Sequence, residues 1–156
     1  MATKVNPAGA SGEAHVTGGF KKGLLKDQAE DSYTALGVDS IELFYLHWPD
    51  KGASMEEALE QVECLHREGR FKKFGLSNFS AEEVSRISEY MARRGWVLPS
   101  VFQGLYNPVT RGVESALFPV LREHGMSFYA YNPLAGGLLT GKHKFDMESL
   151  GDTDGR

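Results

Sequence analysis

Several polar side chains in this 156-residue sequence follow directly after short apolar stretches. In IELFYLHWPD, residues 41–50, six residues suited to a buried strand run into His47, Trp48, Pro49 and Asp50. The same arrangement recurs at four other apolar stretches, which end in Lys4, Ser77, Asn78, Gln103, Tyr131 and Asn132. Amine, imidazole, amide and hydroxyl groups can bind a polar ligand and transfer protons. We therefore expect a functional site where these stretches end.

Residues 136–142, GGLLTGK, suggest a different chemistry because they fit the G-x-x-x-x-G-K pattern of P-loops that bind nucleotide phosphates. The next position is His143, where a P-loop needs Ser or Thr to bind magnesium. An apolar helical stripe, which a P-loop also requires, does not follow Lys142. We therefore do not favour a nucleotide triphosphatase.

The elements that must position these side chains alternate between strands and amphipathic helices. Strands are predicted at 41–46, 71–76, 100–106 and 126–131, with a short one in MATKV. Between them, helices are predicted from apolar residues at helical spacing, and each ends at a glycine. Capping boxes open two of these helices, at Ser54 with Glu57 and at Ser80 with Glu83. A weaker helix is predicted over 28–36, after a Gly-rich loop at 6–23.

The spacing of the strands predicts an α/β fold with parallel strands, because the βα unit repeats every 30 residues or so. An open doubly wound sheet usually carries a Gly-rich phosphate fingerprint in its first βα turn, and none follows MATKV. A (β/α)8 barrel instead carries its chemistry on the loops after the strands, where the polar residues lie here. The sequence thus predicts a TIM barrel, but with five strands rather than eight.

Composition narrows the classes of partner. Hydrophobic residues make up 41% and charged residues 24%, and the net charge is -4, so nothing suggests nucleic acid or an anionic membrane as a partner. The only cysteine, Cys64, excludes a disulfide framework and is predicted to pack among helical core positions. No signal peptide or membrane-spanning run is evident, which predicts a cytoplasmic location. We take the glycosylation sequon at Asn78 as a chance match.

Five motifs at the strand ends resemble the aldo-keto reductase family, in particular its aflatoxin-aldehyde (succinic semialdehyde) reductase branch. They are ATKVNP, LFYLHWPD, FGLSNFS, VFQGLYN and FYAYNPLAGGLLTGK, and they run in the order that the family has. The resemblance covers nearly the whole chain except a loop at about 8–26. It implies a single domain over 1–156 with the fold of a partial barrel.

The resemblance also implies an activity, the reduction of aldehydes and ketones by hydride transfer from NADPH without a metal. The family uses a Tyr as acid, a Lys that lowers the pKa of that Tyr, an Asp that pairs with the Lys, and a His near the carbonyl oxygen. By resemblance Lys4 is the lysine and His47 the histidine. His47 and Trp48 would line the substrate pocket, and Pro49 would end the strand.

The cofactor-binding residues follow from the same resemblance. Ser77, Asn78 and Gln103 match the trio that binds the nicotinamide carboxamide, and Tyr131 matches the tyrosine that stacks on the nicotinamide ring. Arg156 matches an arginine that faces the cofactor. The loop that folds over the pyrophosphate is matched by Asn132, Pro133, Leu134, Ala135, Gly136, Gly137, Leu138, Leu139, Thr140, Gly141 and Lys142. Its glycines would let backbone N–H groups approach the phosphates.

The sequence lacks a match to the family's catalytic Asp and Tyr. In the family these two residues precede the ATK strand, and this sequence begins at Met1. We expect the chain to hold strands three to seven of eight. An incomplete gene model is our preferred explanation; the alternatives are a degenerate remnant and a half that completes itself as a homo-oligomer.

The two functional classes are a reductase of small aldehydes or ketones and a non-catalytic nucleotide-binding or interaction remnant. Without the Tyr, we expect no turnover from this polypeptide alone.

Overall fold

Five parallel strands form one sheet in the computed structural model, which describes residues 1–8 and 18–142. The strands are β1 (Ala2–Val5), β2 (Ile41–Leu46), β3 (Phe71–Ser77), β4 (Pro99–Leu105) and β5 (Ser127–Tyr131). They lie side by side in chain order, as in a barrel wall, whereas a doubly wound sheet reverses its order at a switch point. The prediction of a partial TIM barrel is confirmed. Which five of the eight strands these are stays a prediction.

In the described part of the chain, four α-helices connect the strands. They are α1 (Leu24–Leu36), α2 (Met55–Arg67), α3 (Ala81–Arg94) and α4 (Val113–Glu123), and a 3₁₀ segment spans Ala135–Thr140. The predicted capping box of Ser80 and Glu83 is present with both reciprocal bonds. At the start of α2, the Ser54 hydroxyl accepts a hydrogen bond from the Glu57 N–H and donates one to the carboxylate of Glu56. Among the described residues, no helix is long and apolar enough to cross a membrane.

The main core lies between the sheet and its helices. The strands contribute Phe44, Leu46, Phe74 and Leu76 to it, and the helices contribute Leu59, Val62, Leu65, Val84, Ile87 and Met91. Because successive strand residues point to opposite faces, the alternate residues Leu43, Tyr45 and Val101 form a second buried cluster on the other face. That face corresponds to the interior of the barrel. Residues two positions after Tyr45 and Val101, namely His47 and Gln103, continue the same face.

Cys64 is exposed, so the prediction that it packs in the core of α2 is wrong. Its neighbour Glu63 faces inward instead and is only 6% exposed. The Glu63 carboxylate accepts hydrogen bonds from Arg67 at 2.7 Å and from the Val97 N–H at 2.9 Å. A buried carboxylate is stable only where such donors exist, and one of these lies beyond the end of α3. The helical pattern alone therefore does not predict which of the two residues is buried.

Candidate functional site

A cavity of about 300 Å³ opens at the carboxyl ends of the strands. It is lined by Lys4, His47, Trp48, Ser77, Asn78, Gln103 and Tyr131. All seven are among the residues that the sequence predicts for the site. They come together because neighbouring parallel strands end at the same edge of a sheet. The cavity brings the predicted catalytic, substrate and nicotinamide residues into one place, and the function of each stays a prediction.

Asn78 joins the ends of three strands. Its backbone adopts a left-handed conformation, with φ of 64°, which Asn tolerates better than most residues. The amide Nδ2 donates to the His47 carbonyl at 2.9 Å and to the Ser77 hydroxyl at 3.0 Å. The amide Oδ1 accepts from the Tyr131 hydroxyl at 3.1 Å. This one side chain therefore fixes the ends of β2, β3 and β5 relative to each other.

Lys4 reaches across the interior face of the sheet from β1 to β4, where its ammonium donates a hydrogen bond to Gln103 Oε1. The ammonium also lies 5.5 Å from the centre of the Tyr45 ring, within cation–π range. Burial lowers the pKa of Lys4 below its ordinary value. Burial also raises the pKa of Tyr45 to about 12, with a smaller contribution from Tyr129, so Tyr45 is neutral at pH 7.

His47 lies next to Trp48 and within the electrostatic influence of the Lys4 ammonium. Its ring centre is 5.7 Å from that of Trp48. Burial lowers the pKa of His47, and the positive charge of Lys4 lowers it further. The imidazole is therefore neutral near pH 7, with one nitrogen that donates a hydrogen bond and one that accepts. A neutral donor next to a fixed positive charge is suited to bind the oxygen of a polarised carbonyl.

The substitution Lys4→Met is expected to raise the pKa of His47 towards its ordinary value. The pKa should stay below that value, because burial is the larger cause of the shift. NMR titration of the imidazole protons measures this directly. As a control, Lys26→Met removes a lysine that pairs with Glu68, and it should leave the titration of His47 unchanged. An unchanged His47 titration in Lys4→Met would contradict this account of the site.

The predicted cofactor loop, 132–142, follows β5 outside the cavity lining and is mostly exposed. Left-handed backbone conformations recur along it, at Asn132, Ala135, Gly136, Gly137 and Gly141. The Gly136 N–H donates to Asn132 Oδ1 at 2.7 Å, and the Gly137 N–H donates to the Leu134 carbonyl at 3.0 Å. The N–H groups of these two glycines therefore bond within the loop, and the approach of backbone N–H groups of the loop to phosphates stays a prediction. Arg156 lies outside the described residues.

Asp50 has a structural role that the sequence did not reveal. It is 7% exposed, and its carboxylate accepts hydrogen bonds from the N–H groups of Gly18, Phe20 and Gly52 at 2.7 to 3.0 Å. The segment 18–20 in turn contacts the loop after β1, where the Gly19 N–H donates to the Pro7 carbonyl. Asp50 thus ties together the loops that follow β1 and β2, the strands that present Lys4 and His47.

A parallel β/α sheet of barrel type, with a polar cavity at the carboxyl ends of its strands, is an architecture that many enzymes share. The sequence profile of the Aldo/keto reductase family matches residues 1–154, and the chain belongs to this family. The resemblance in the five motifs is thereby confirmed.

Three human relatives show how much of a family member this chain represents. Aflatoxin B1 aldehyde reductase member 2 is 46% identical over 156 residues, which are 100% of this chain and 40% of the relative. Aflatoxin B1 aldehyde reductase member 4 is also 46% identical over 156 residues, 44% of its own length. Aldo-keto reductase family 7 member A3 is 50% identical over 127 residues, 81% of this chain and 38% of the relative. The chain spans about two fifths of the length of these relatives.

Proposed function

We propose that this chain forms the nicotinamide and carbonyl site of an NADPH-dependent reductase that converts aldehydes or ketones to alcohols. The observation that carries the proposal is the cavity at the strand ends, which gathers seven side chains from all five strands and the residues next to them. Family membership supports an oxidoreductase. The names of the relatives, aldehyde reductases among them, support a carbonyl substrate.

The residues around the cavity fit a nicotinamide. A cavity of about 300 Å³ is within the usual range for small-molecule sites. Asn78 and Gln103 carry amides that can pair with a carboxamide, with Ser77 as a third partner, and Tyr131 offers an exposed ring for stacking. The amide oxygens of Asn78 and Gln103 already accept hydrogen bonds, from Tyr131 and from Lys4, and each oxygen has a second lone pair that can accept from a carboxamide. Residues 132–142 and Arg156 would hold the phosphate-bearing part of NADPH.

The proposed reaction adds a hydride to the carbonyl carbon and a proton, from the tyrosine that the family uses as its acid, to the carbonyl oxygen. NADPH would supply the hydride. The neutral His47 imidazole would donate a hydrogen bond to the carbonyl oxygen, and the Lys4 ammonium would stabilise the negative charge that develops there. Trp48 would form an apolar wall for the substrate. Lys4 and His47 are thus the proposed catalytic residues.

A non-catalytic nucleotide-binding role is the second candidate. Tyr131 is the one tyrosine that lines the cavity in the described part of the chain, and its hydroxyl already donates to Asn78. The described residues that line the cavity therefore include no tyrosine that matches the acid of the family. Under either function we propose a cytoplasmic protein, and assembly as a homo-oligomer stays a prediction.

Titration of the purified chain with NADPH tests the proposal. We expect saturable quenching of Trp48 fluorescence, because Trp48 lines the cavity whereas Trp96, the other tryptophan, packs against Tyr90. The quenching should therefore persist in Trp96→Phe and disappear in Trp48→Phe. Oxidation of NADPH by an aromatic aldehyde is measured in the same samples. Binding with turnover contradicts the second candidate. Binding without turnover fits both candidates, because no tyrosine among the described residues matches the acid of the family. The absence of binding contradicts both.

A further inference from the structure

Asn107 is a buried polar residue just beyond the end of β4, outside the cavity. It is only 3% exposed, and both ends of its amide are engaged. Oδ1 accepts hydrogen bonds from the N–H groups of Val109 and Thr110, at 3.1 and 2.9 Å. Nδ2 donates to the carbonyl of Asn132 at 3.1 Å. The side chain therefore connects two loops that follow neighbouring strands.

The turn that carries Asn107 is closed by its own hydrogen bonds. The backbones of Asn107 and Thr110 form an isolated antiparallel bridge, with N–H···O distances of 3.3 and 3.0 Å in the two directions. The two bonds accepted by Asn107 Oδ1 close the same turn. Because these contacts hold the amide plane of Asn107, its Nδ2 donor has a fixed direction, towards the loop after β5.

Asn107 Nδ2 donates to the carbonyl of Asn132, the residue at which the predicted cofactor loop begins. Asn132 has φ of 55°, and Ala135, Gly136 and Gly137 continue in left-handed conformations. The Asn132 carbonyl accepts the hydrogen bond from Asn107 Nδ2, and it accepts a second one from the Ala135 N–H at 3.1 Å. The Asn132 side chain accepts from the Gly136 N–H. The orientation of this one residue therefore sets the first turn of the loop.

We infer that Asn107 is a positioning residue for the nucleotide: its Nδ2 donor holds Asn132 in the left-handed conformation and thereby forms loop 132–142 before NADPH binds. A loop that is ordered in advance loses less conformational entropy on binding and so binds more tightly. The inference rests on the proposed function, since it assigns the nucleotide to this loop. Asn107 is not a catalytic residue, because it lies outside the cavity.

The substitution Asn107→Asp separates the two contacts of the side chain. One carboxylate oxygen can still accept from Val109 and Thr110, so the turn is kept. The other oxygen replaces the Nδ2 donor and faces the Asn132 carbonyl, which it repels. We expect faster hydrogen exchange in the peptide that covers 132–142 and NADPH binding weakened about tenfold, the effect of losing one hydrogen bond of ordinary strength.

Glu63→Gln is the matched control. Like Asn107→Asp, it interconverts a carboxylate and an amide at a buried residue, here in α2. It should leave hydrogen exchange in loop 132–142 and the affinity for NADPH unchanged. Exchange is measured by mass spectrometry on the full chain without nucleotide, and affinity by titration with NADPH. Unchanged loop exchange in Asn107→Asp would overturn the inference, as would faster exchange with unchanged affinity. Failure of the unsubstituted chain to bind NADPH would contradict the proposed function, while exchange would still decide whether Asn107 holds the loop.

Discussion

Asp50→Ala is expected to lower the free energy of unfolding by about 3 kcal/mol or more. Three backbone N–H groups, of Gly18, Phe20 and Gly52, donate to this buried carboxylate. A hydrogen bond to a charged group contributes about 1.5–3 kcal/mol, and a buried donor left unpaired costs about 1–3 kcal/mol, partly offset where water enters the space. The loss should also free segment 18–20 from the loop after β1 and so loosen the positions of Lys4 and His47.

Urea denaturation of a graded series measures this effect. Asp50→Asn should have an intermediate stability, because the amide keeps one acceptor oxygen while its NH₂ faces N–H donors. Asp39→Ala, which removes an exposed aspartate, should be close to the unsubstituted chain. Equal stabilities for Asp50→Ala and Asp39→Ala would show that the carboxylate of Asp50 does not hold these loops.

Gly75→Ala is expected to destabilise the sheet by about 2–3 kcal/mol, as overpacking of a well-filled site does. A Cβ at Gly75 would lie 2.5 Å from Cδ1 and Cε1 of the Tyr45 ring, too close for any pair of carbons. The ring cannot move aside easily, because Tyr45 is 2% exposed in the cluster on the interior face. Its displacement should also disturb Lys4, whose ammonium lies over that ring.

Thermal unfolding and the NADPH titration together check this prediction. Gly112→Ala is the control, since Gly112 has φ of -58° and a Cβ there would meet no atom within 4 Å. The second substitution Tyr45→Leu should restore part of the stability lost in Gly75→Ala, because it removes the ring atoms that collide. If Gly75→Ala were as stable as Gly112→Ala and bound NADPH equally well, the ring of Tyr45 would not be a fixed support for Lys4.

The two predictions concern different supports of one site. Asp50 holds the loops at the rim, whereas Gly75 makes room for the ring beneath Lys4. Asn107 adds a third support, for the loop after β5. All three act on residues of the proposed site from positions outside the cavity lining, so their substitution tests whether the site is formed by the fold before any ligand binds.

The sequence by itself determined the class of fold and predicted the residues that line the cavity. Apolar runs of strand length, helices with caps such as Ser80 and a repeat of about 30 residues are local signals, which neighbouring residues produce without the rest of the chain. The site followed from the fold, because parallel strands in a barrel end at one edge. That is why seven residues far apart in sequence were predicted together and line one cavity.

Only the tertiary structure decided which polar groups are buried and what they bind. Glu63 is buried and Cys64 exposed because donors from Arg67 and Val97 reach the carboxylate of Glu63. Asp50 and Asn107 depend likewise on partners more than 20 residues away in sequence. The N–H groups of Gly136 and Gly137 bond within loop 132–142, and the glycines of the sequence do not specify these partners. A hydrogen bond needs two groups at about 3 Å in a suitable direction, and the order of residues along a chain does not specify that distance.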